Sequence, residues 1–139
     1  MAKKTTTPSL LSLPFDDNLA LAGVVARGIP AASLPGLAAA LGLAPAALAG
    51  LVNIAPRTLA RRMEKNDLLK PAEAERTVRI GRLVKHATDV FGAAAAAREW
   101  FQRPLRSLGG RTPLELCATE PCAREVEQAL GRIEHGVFA

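Results

Sequence analysis

The clearest chemical pattern in this sequence lies between residues 57 and 65, where Arg57, Thr58, Arg61, Arg62 and Lys65 stand close together. Thr58, Arg61, Arg62 and Lys65 follow the i, i+3, i+4, i+7 spacing that gathers side chains on one helix face. Leu59 and Met63, four apart, are expected to point the other way. DNA recognition needs this division. One stripe packs the helix on its scaffold, and the other enters a major groove, where arginine can hold guanine O6 and N7 together. Arg57 stands at the helix start, where free backbone N–H groups can meet a phosphate. A basic amphipathic helix that only packs would show the same spacing. What favours DNA is a short helix and a tight turn directly upstream, over residues 45–55. The helix after it adds Arg76, Arg79, Arg82 and Lys85, which could contact the nucleic-acid backbone or another partner. Ala55 falls at the expected N-cap, an omission of about 1 kcal/mol relative to serine.

Other chemistries are poorly represented. The sequence has no Walker loop, no GxGxxG, no HExxH and no GxSxG elbow. Glu125, Glu127 and Glu134 alternate with Arg124 and Arg132 along one helix and read as a solvated face. His135, beside Gly136, has no visible nucleophile to serve. The chain is therefore expected not to be an enzyme and to hold neither a cofactor nor a metal of its own. Cys117 and Cys122 fit neither a disulfide framework nor a zinc knuckle. They are expected to be small packing groups in a reducing, cytoplasmic compartment.

These residues need a scaffold, and composition says which kind. The chain has 139 residues, enough for one ordinary domain or two very small ones. Alanine and leucine supply 47 residues while Val, Ile and Thr together supply 20, which favours helix over sheet. Net charge is +5, and the surplus is local: residues 55–88 carry nine basic and four acidic groups, against six and seven over residues 89–139. Such a basic segment is the electrostatic footprint of a polyanion-binding surface. Residues 28–56 carry no charge, but Pro30, Pro35, Pro45 and Pro56 divide them into pieces too short for a membrane span. No signal peptide or membrane association is expected.

Residues 1–17 read as a flexible tail. Helices are expected over about residues 18–27, 34–41 (capped by Ser33), 45–52, 57–66, 72–90, a stretch bearing Trp100 and Phe101, and 121–135. Thr112-Pro113-Leu114-Glu115 has the form of a capping box. The residues from Asn66 to Pro71 read as a polar connection, and Trp100 as core or as a contact with a second chain.

The C-terminal third adds an ordered series. Val90-Phe91-Gly92 is followed by Ala97-Arg98-Glu99-Trp100, by Leu108-Gly109-Gly110-Arg111-Thr112-Pro113, and by the close Leu130-Gly131-Arg132-Ile133-Glu134-His135-Gly136-Val137-Phe138-Ala139. This series resembles the toxin-binding domain of Xre/MbcA/ParS-type antitoxins, the partners of RES-domain toxins. Pro56-Arg57-Thr58-Leu59-Ala60-Arg61-Arg62 is similar to that family's helix–turn–helix. The resemblance spans roughly residues 30–139 and implies an all-α fold: a helix–turn–helix bundle over 18–88, then a small helical toxin-binding and dimerisation domain over 89–139. It implies an antitoxin that blocks the active site of an NAD-degrading RES toxin, represses its own operon by binding operator DNA, and forms a homodimer. NAD would be the toxin's substrate and not a ligand of this chain alone. The residues carried to the toxin cleft would be Arg132, Ile133, Glu134, Gly136, Val137 and Phe138, with the last two otherwise free to fold back on the helix. Cys117, Cys122 and Phe101 depart from the family pattern, where an aliphatic residue, a glycine and a leucine are usual. The alternative is a free-standing helix–turn–helix regulator whose C-terminal domain only dimerises. A weaker one is an interaction module without a DNA target.

Overall fold

Aspartate, proline and glycine set where the helices start and stop. In the computed structural model, which describes residues 10–136, the Asp17 carboxylate accepts hydrogen bonds from the N–H groups of Leu19 and Ala20 at 3.1 and 3.0 Å. That cap opens α1, Asn18–Arg27. Then come α2, Leu34–Leu41, α3, Pro45–Leu51, α4, Pro56–Glu64, and the long α5, Pro71–Phe91. Each has a proline in its first turn, where the missing N–H breaks no helical bond. Gly42 and Gly92 end α2 and α5 in the left-handed conformation, at φ 71° and 75°. The chain continues through α6, Ala94–Phe101, the short α7, Pro113–Leu116, and α8, Glu120–Glu134. Thr112 Oγ1 accepts the Glu115 N–H at 3.1 Å and so caps α7. No strand occurs among the described residues, and the fold is all-α as expected.

The axis of the molecule is α5. It buries Ala74, Val78, Ile80, Leu83, Val84 and Ala87, and packs against α1, α2, α6 and α8. The expected division at residues 88/89 therefore falls in the last turn of a helix that both halves share. Leu34, Leu37 and Leu41 of α2 and Val126 and Leu130 of α8 belong to one continuous core with Phe101, which is fully buried. Trp100 is only 6% exposed; its ring lies 5.7 Å from Phe91 and 5.3 Å, edge-on, from Phe101. It is a core residue.

Two local expectations are corrected. Residues 10–17, read as part of a tail, pack on the body: Leu10–Ser12 form a 3-10 turn, Leu10 is buried, and Phe15 is half-buried. Gly81 makes room for them, because a Cβ there would stand 3.2 Å from Leu10 and 3.3 Å from Phe15. Residues 1–9 lie outside the described part. Ser33 does not cap α2; it ends a 3-10 turn, and its hydroxyl donates to the Pro30 carbonyl at 2.7 Å. The polar connection before α5 is held to the segment after α1, with Leu69 N–H donating to Ile29 O at 2.8 Å and Ala31 N–H to Asp67 O at 2.9 Å. The uncharged stretch is two helices, Ala31–Leu41 and Pro45–Leu51, bent by 100°. Among the described residues no single helix is long and apolar enough to cross a membrane.

Candidate functional site

Helices α3 and α4 are joined by a turn in which Asn53 takes φ 59°, a left-handed conformation that asparagine tolerates better than most residues. The Ile54 N–H returns to Ala49 O at 2.9 Å and closes the turn. Leu59, 1% exposed, anchors α4 on the core, and Met63 packs half-buried beside it. Arg57, Arg61 and Lys65 line the opposite face at spacings of four. All three are exposed, and none of their side chains makes a hydrogen bond or ion pair within the described residues. Thr58 is half-buried at the edge of this ridge. α4 thus presents three unpartnered cations to solvent, which is the electrostatic requirement for docking on phosphates.

Arg62 departs from the expected arrangement. It does not share the outer face with Thr58, Arg61 and Lys65. Its guanidinium turns back and pairs with the Glu73 carboxylate at the start of α5, with side-chain exposures of 11% and 12%. The same Glu73 oxygen accepts the Lys70 N–H at 2.8 Å. The basic residues of α5 are likewise engaged within the fold. Arg76 donates to Val52 O at 3.3 Å, Arg79 pairs with Glu120 at 3.1 Å, and Lys85 pairs with Asp89 at 2.7 Å. Arg82 sits 3.5 Å from Asn18 Oδ1. The sequence left these cations open to the nucleic-acid backbone or another partner; in the structure Arg76, Arg79 and Arg82 reach other elements of the fold, and Lys85 pairs within α5. The pattern that could have flagged Glu73 is its place three residues after Lys70, where a glutamate can reach back to the N–H at the helix start.

The second candidate region is the end of α8. Ile133 packs against the core, Arg132 is half-buried, and Glu134 is exposed. Glu134 lies 3.4 Å from His86 Nε2 on α5 and 3.9 Å from His135 Nε2. Gly136, after the His135 C-cap of α8, takes the left-handed φ of 69°. Val137 and Phe138, expected at the tip, lie outside the described residues. Cys117 is buried, and burial pushes its thiol from 9.0 up to about 12, outweighing the hydrogen bond from its own backbone N–H. It is a neutral packing group at physiological pH, and its Sγ donates to Leu114 O at 3.0 Å.

These two regions coincide with two known domain patterns. Residues 20–82 match the Antitoxin Xre-like helix-turn-helix domain, and residues 86–136 match the Antitoxin Xre/MbcA/ParS C-terminal toxin-binding domain. The chain carries, in succession, the two domains of Xre-type antitoxins. It is 40% identical over 87 residues to Antitoxin Xre of Yersinia enterocolitica, covering 62% of this chain and 59% of that protein. It is 36% identical over 90 residues to Antitoxin Xre of Photorhabdus laumondii, covering 64% and 61%. A protein of Sphingobium sp. named Prs ADP-ribosylating antitoxin is 29% identical over 126 residues, covering 84% and 79%. The chain thus spans about three fifths of the length of the two Xre antitoxins. The helix-turn-helix domain match takes in α1 to α4 and most of α5, and the toxin-binding domain match takes in the end of α5 with α6 to α8.

Proposed function

We propose that this chain is an antitoxin that neutralises a RES-domain, NAD-consuming toxin by placing its C-terminal end at the toxin's active-site cleft, and that as a homodimer it represses its own operon through α4. The observation that carries the reading is the succession, on one shared core, of a toxin-binding domain pattern and a helix–turn–helix whose outer cations are unpartnered. Arg57, Thr58, Arg61 and Lys65 are the DNA-facing residues in this reading, and Arg132, Ile133, Glu134, Gly136, Val137 and Phe138 the toxin-facing ones. The name of the Sphingobium relative joins an antitoxin to ADP-ribosylation. ADP-ribosyl transfer and NAD hydrolysis both begin by breaking the bond between nicotinamide and ribose, so loss of cellular NAD reports either toxin chemistry.

The test is co-expression with the adjacent reading frame, followed by co-purification and an NAD assay. The expected result is NAD loss when the neighbour is expressed alone, and a complex with NAD preserved when both are present. No complex, with NAD unaffected, would overturn the toxin-neutralising reading and leave a helix–turn–helix regulator whose C-terminal domain only dimerises.

A further inference from the structure

We propose that Glu73 is a positioning residue for DNA recognition: it clamps the second helix of the helix–turn–helix at a fixed angle by holding Arg62. The inference rests on the reading of α4 as the DNA-facing helix. Glu73 stands in the first turn of α5, and its side chain is only 12% exposed. One carboxylate oxygen is shared between the Arg62 guanidinium at the end of α4 and the Lys70 N–H at the start of α5. Residues 65–70, the whole connection between the two helices, are thereby bridged at both ends. A second brace acts at the turn of the motif, where Arg76, one turn along α5, donates to the carbonyl of Val52, the residue that closes α3. α5 therefore grips the motif at two points, one on α4 and one at the turn. The free ridge of Arg57, Arg61 and Lys65 takes its direction from this grip together with the packing of α4, through Leu59 and Met63, on α3 and the turn at residues 31–33.

The sign of a charge-removing substitution separates this role from a direct one. Glu73→Gln deletes a negative charge close to the DNA-facing helix and releases Arg62. If Arg62 were a reserve phosphate contact, or if only net charge mattered, DNA affinity would rise. If Glu73 holds α4 in register, affinity falls although the protein has become more positive.

The experiment measures the affinity of the full chain for a labelled duplex spanning the promoter upstream of its reading frame. Glu73→Gln, Arg62→Met and the double variant are compared at 10–15 °C, the approximate range where folded domains are near maximum stability. Far-UV circular dichroism verifies folding, and Glu73→Asp replaces Glu73→Gln if that variant does not fold. The expected result is a loss of about tenfold in each single variant and no further loss in the double, the non-additivity of residues acting as one unit. The salt dependence of Arg62→Met should match that of the unsubstituted protein, since no phosphate contact is removed. Unchanged or tighter binding by Glu73→Gln, or a shallower salt slope in Arg62→Met, would overturn the clamp while leaving DNA binding intact. No binding by the unsubstituted protein would overturn the DNA-facing reading itself, and the clamp with it.

Discussion

Arg61 and Arg62 are neighbours in sequence with opposite situations, and the difference is a matter of partners. Arg61 is exposed and free of any ion pair within the described residues. Arg62 is nearly buried against a carboxylate that has its own claim on the backbone of Lys70. Arg61→Ala should therefore leave stability within about 0.5 kcal/mol, as surface substitutions do, while weakening DNA binding and reducing its salt slope by about one. Denaturant unfolding and a binding titration at several salt concentrations check both halves. Removing Arg62 instead leaves a buried carboxylate without its cation, a change that destabilises on the order of 3 kcal/mol. Helical spacing could not tell the two apart: both fall on the polar side of α4, and only the position of α5 decides which one meets an acid. The spacing rule finds the face of a helix, but it does not see a neighbour eleven residues away that reaches back to it.

Elements were the most legible level. Gly42, Gly92, Pro45, Pro56 and Thr112-Pro113 mark helix ends through local backbone geometry, which needs no knowledge of the rest of the fold. The long helix expected over 72–90 is α5 at Pro71–Phe91, and the turn between the helices of the DNA-facing motif falls at Asn53. Where the reading missed, the missing information was tertiary. Ser33 is drawn off by the Pro30 carbonyl, and residues 10–15 pack because Gly81 opens space on a helix more than sixty residues downstream. The cap of α1 belongs to Asp17, whose carboxylate takes two N–H groups. Asp17→Ala should cost about 1 kcal/mol, read as a lower midpoint in urea, with helix content in the folded state unchanged because α5 still packs on α1.

At the level of the whole molecule, the two functional halves share one core and one long helix. The face turned to α4 is at the start of α5, and the His86–Glu134 contact with the end of α8 is near its finish. A chain built this way should unfold in one step. Fluorescence of Trp100, the single tryptophan, reports the C-terminal half, while circular dichroism reports all helices. The two curves should coincide; a separate early transition in one of them would show two independent units. The charge surplus of residues 55–88 is also redistributed by the fold. Arg62, Arg79 and Lys85 pair with carboxylates and Arg76 and Arg82 bond neutral oxygens, so the cations left without a partner among the described residues include the ridge of Arg57, Arg61 and Lys65. In the proposed reading the end of α8 meets a protein partner while α4 faces DNA.

The measurement that tests this account most directly is cellular NAD during co-expression of the neighbouring gene with this chain, either whole or lacking residues 136–139. The account predicts that the whole chain preserves NAD and that the shortened chain lets it fall, although the purified shortened protein binds the promoter duplex as tightly as before. Full preservation of NAD by the shortened chain would contradict the claim that the C-terminal end blocks the toxin.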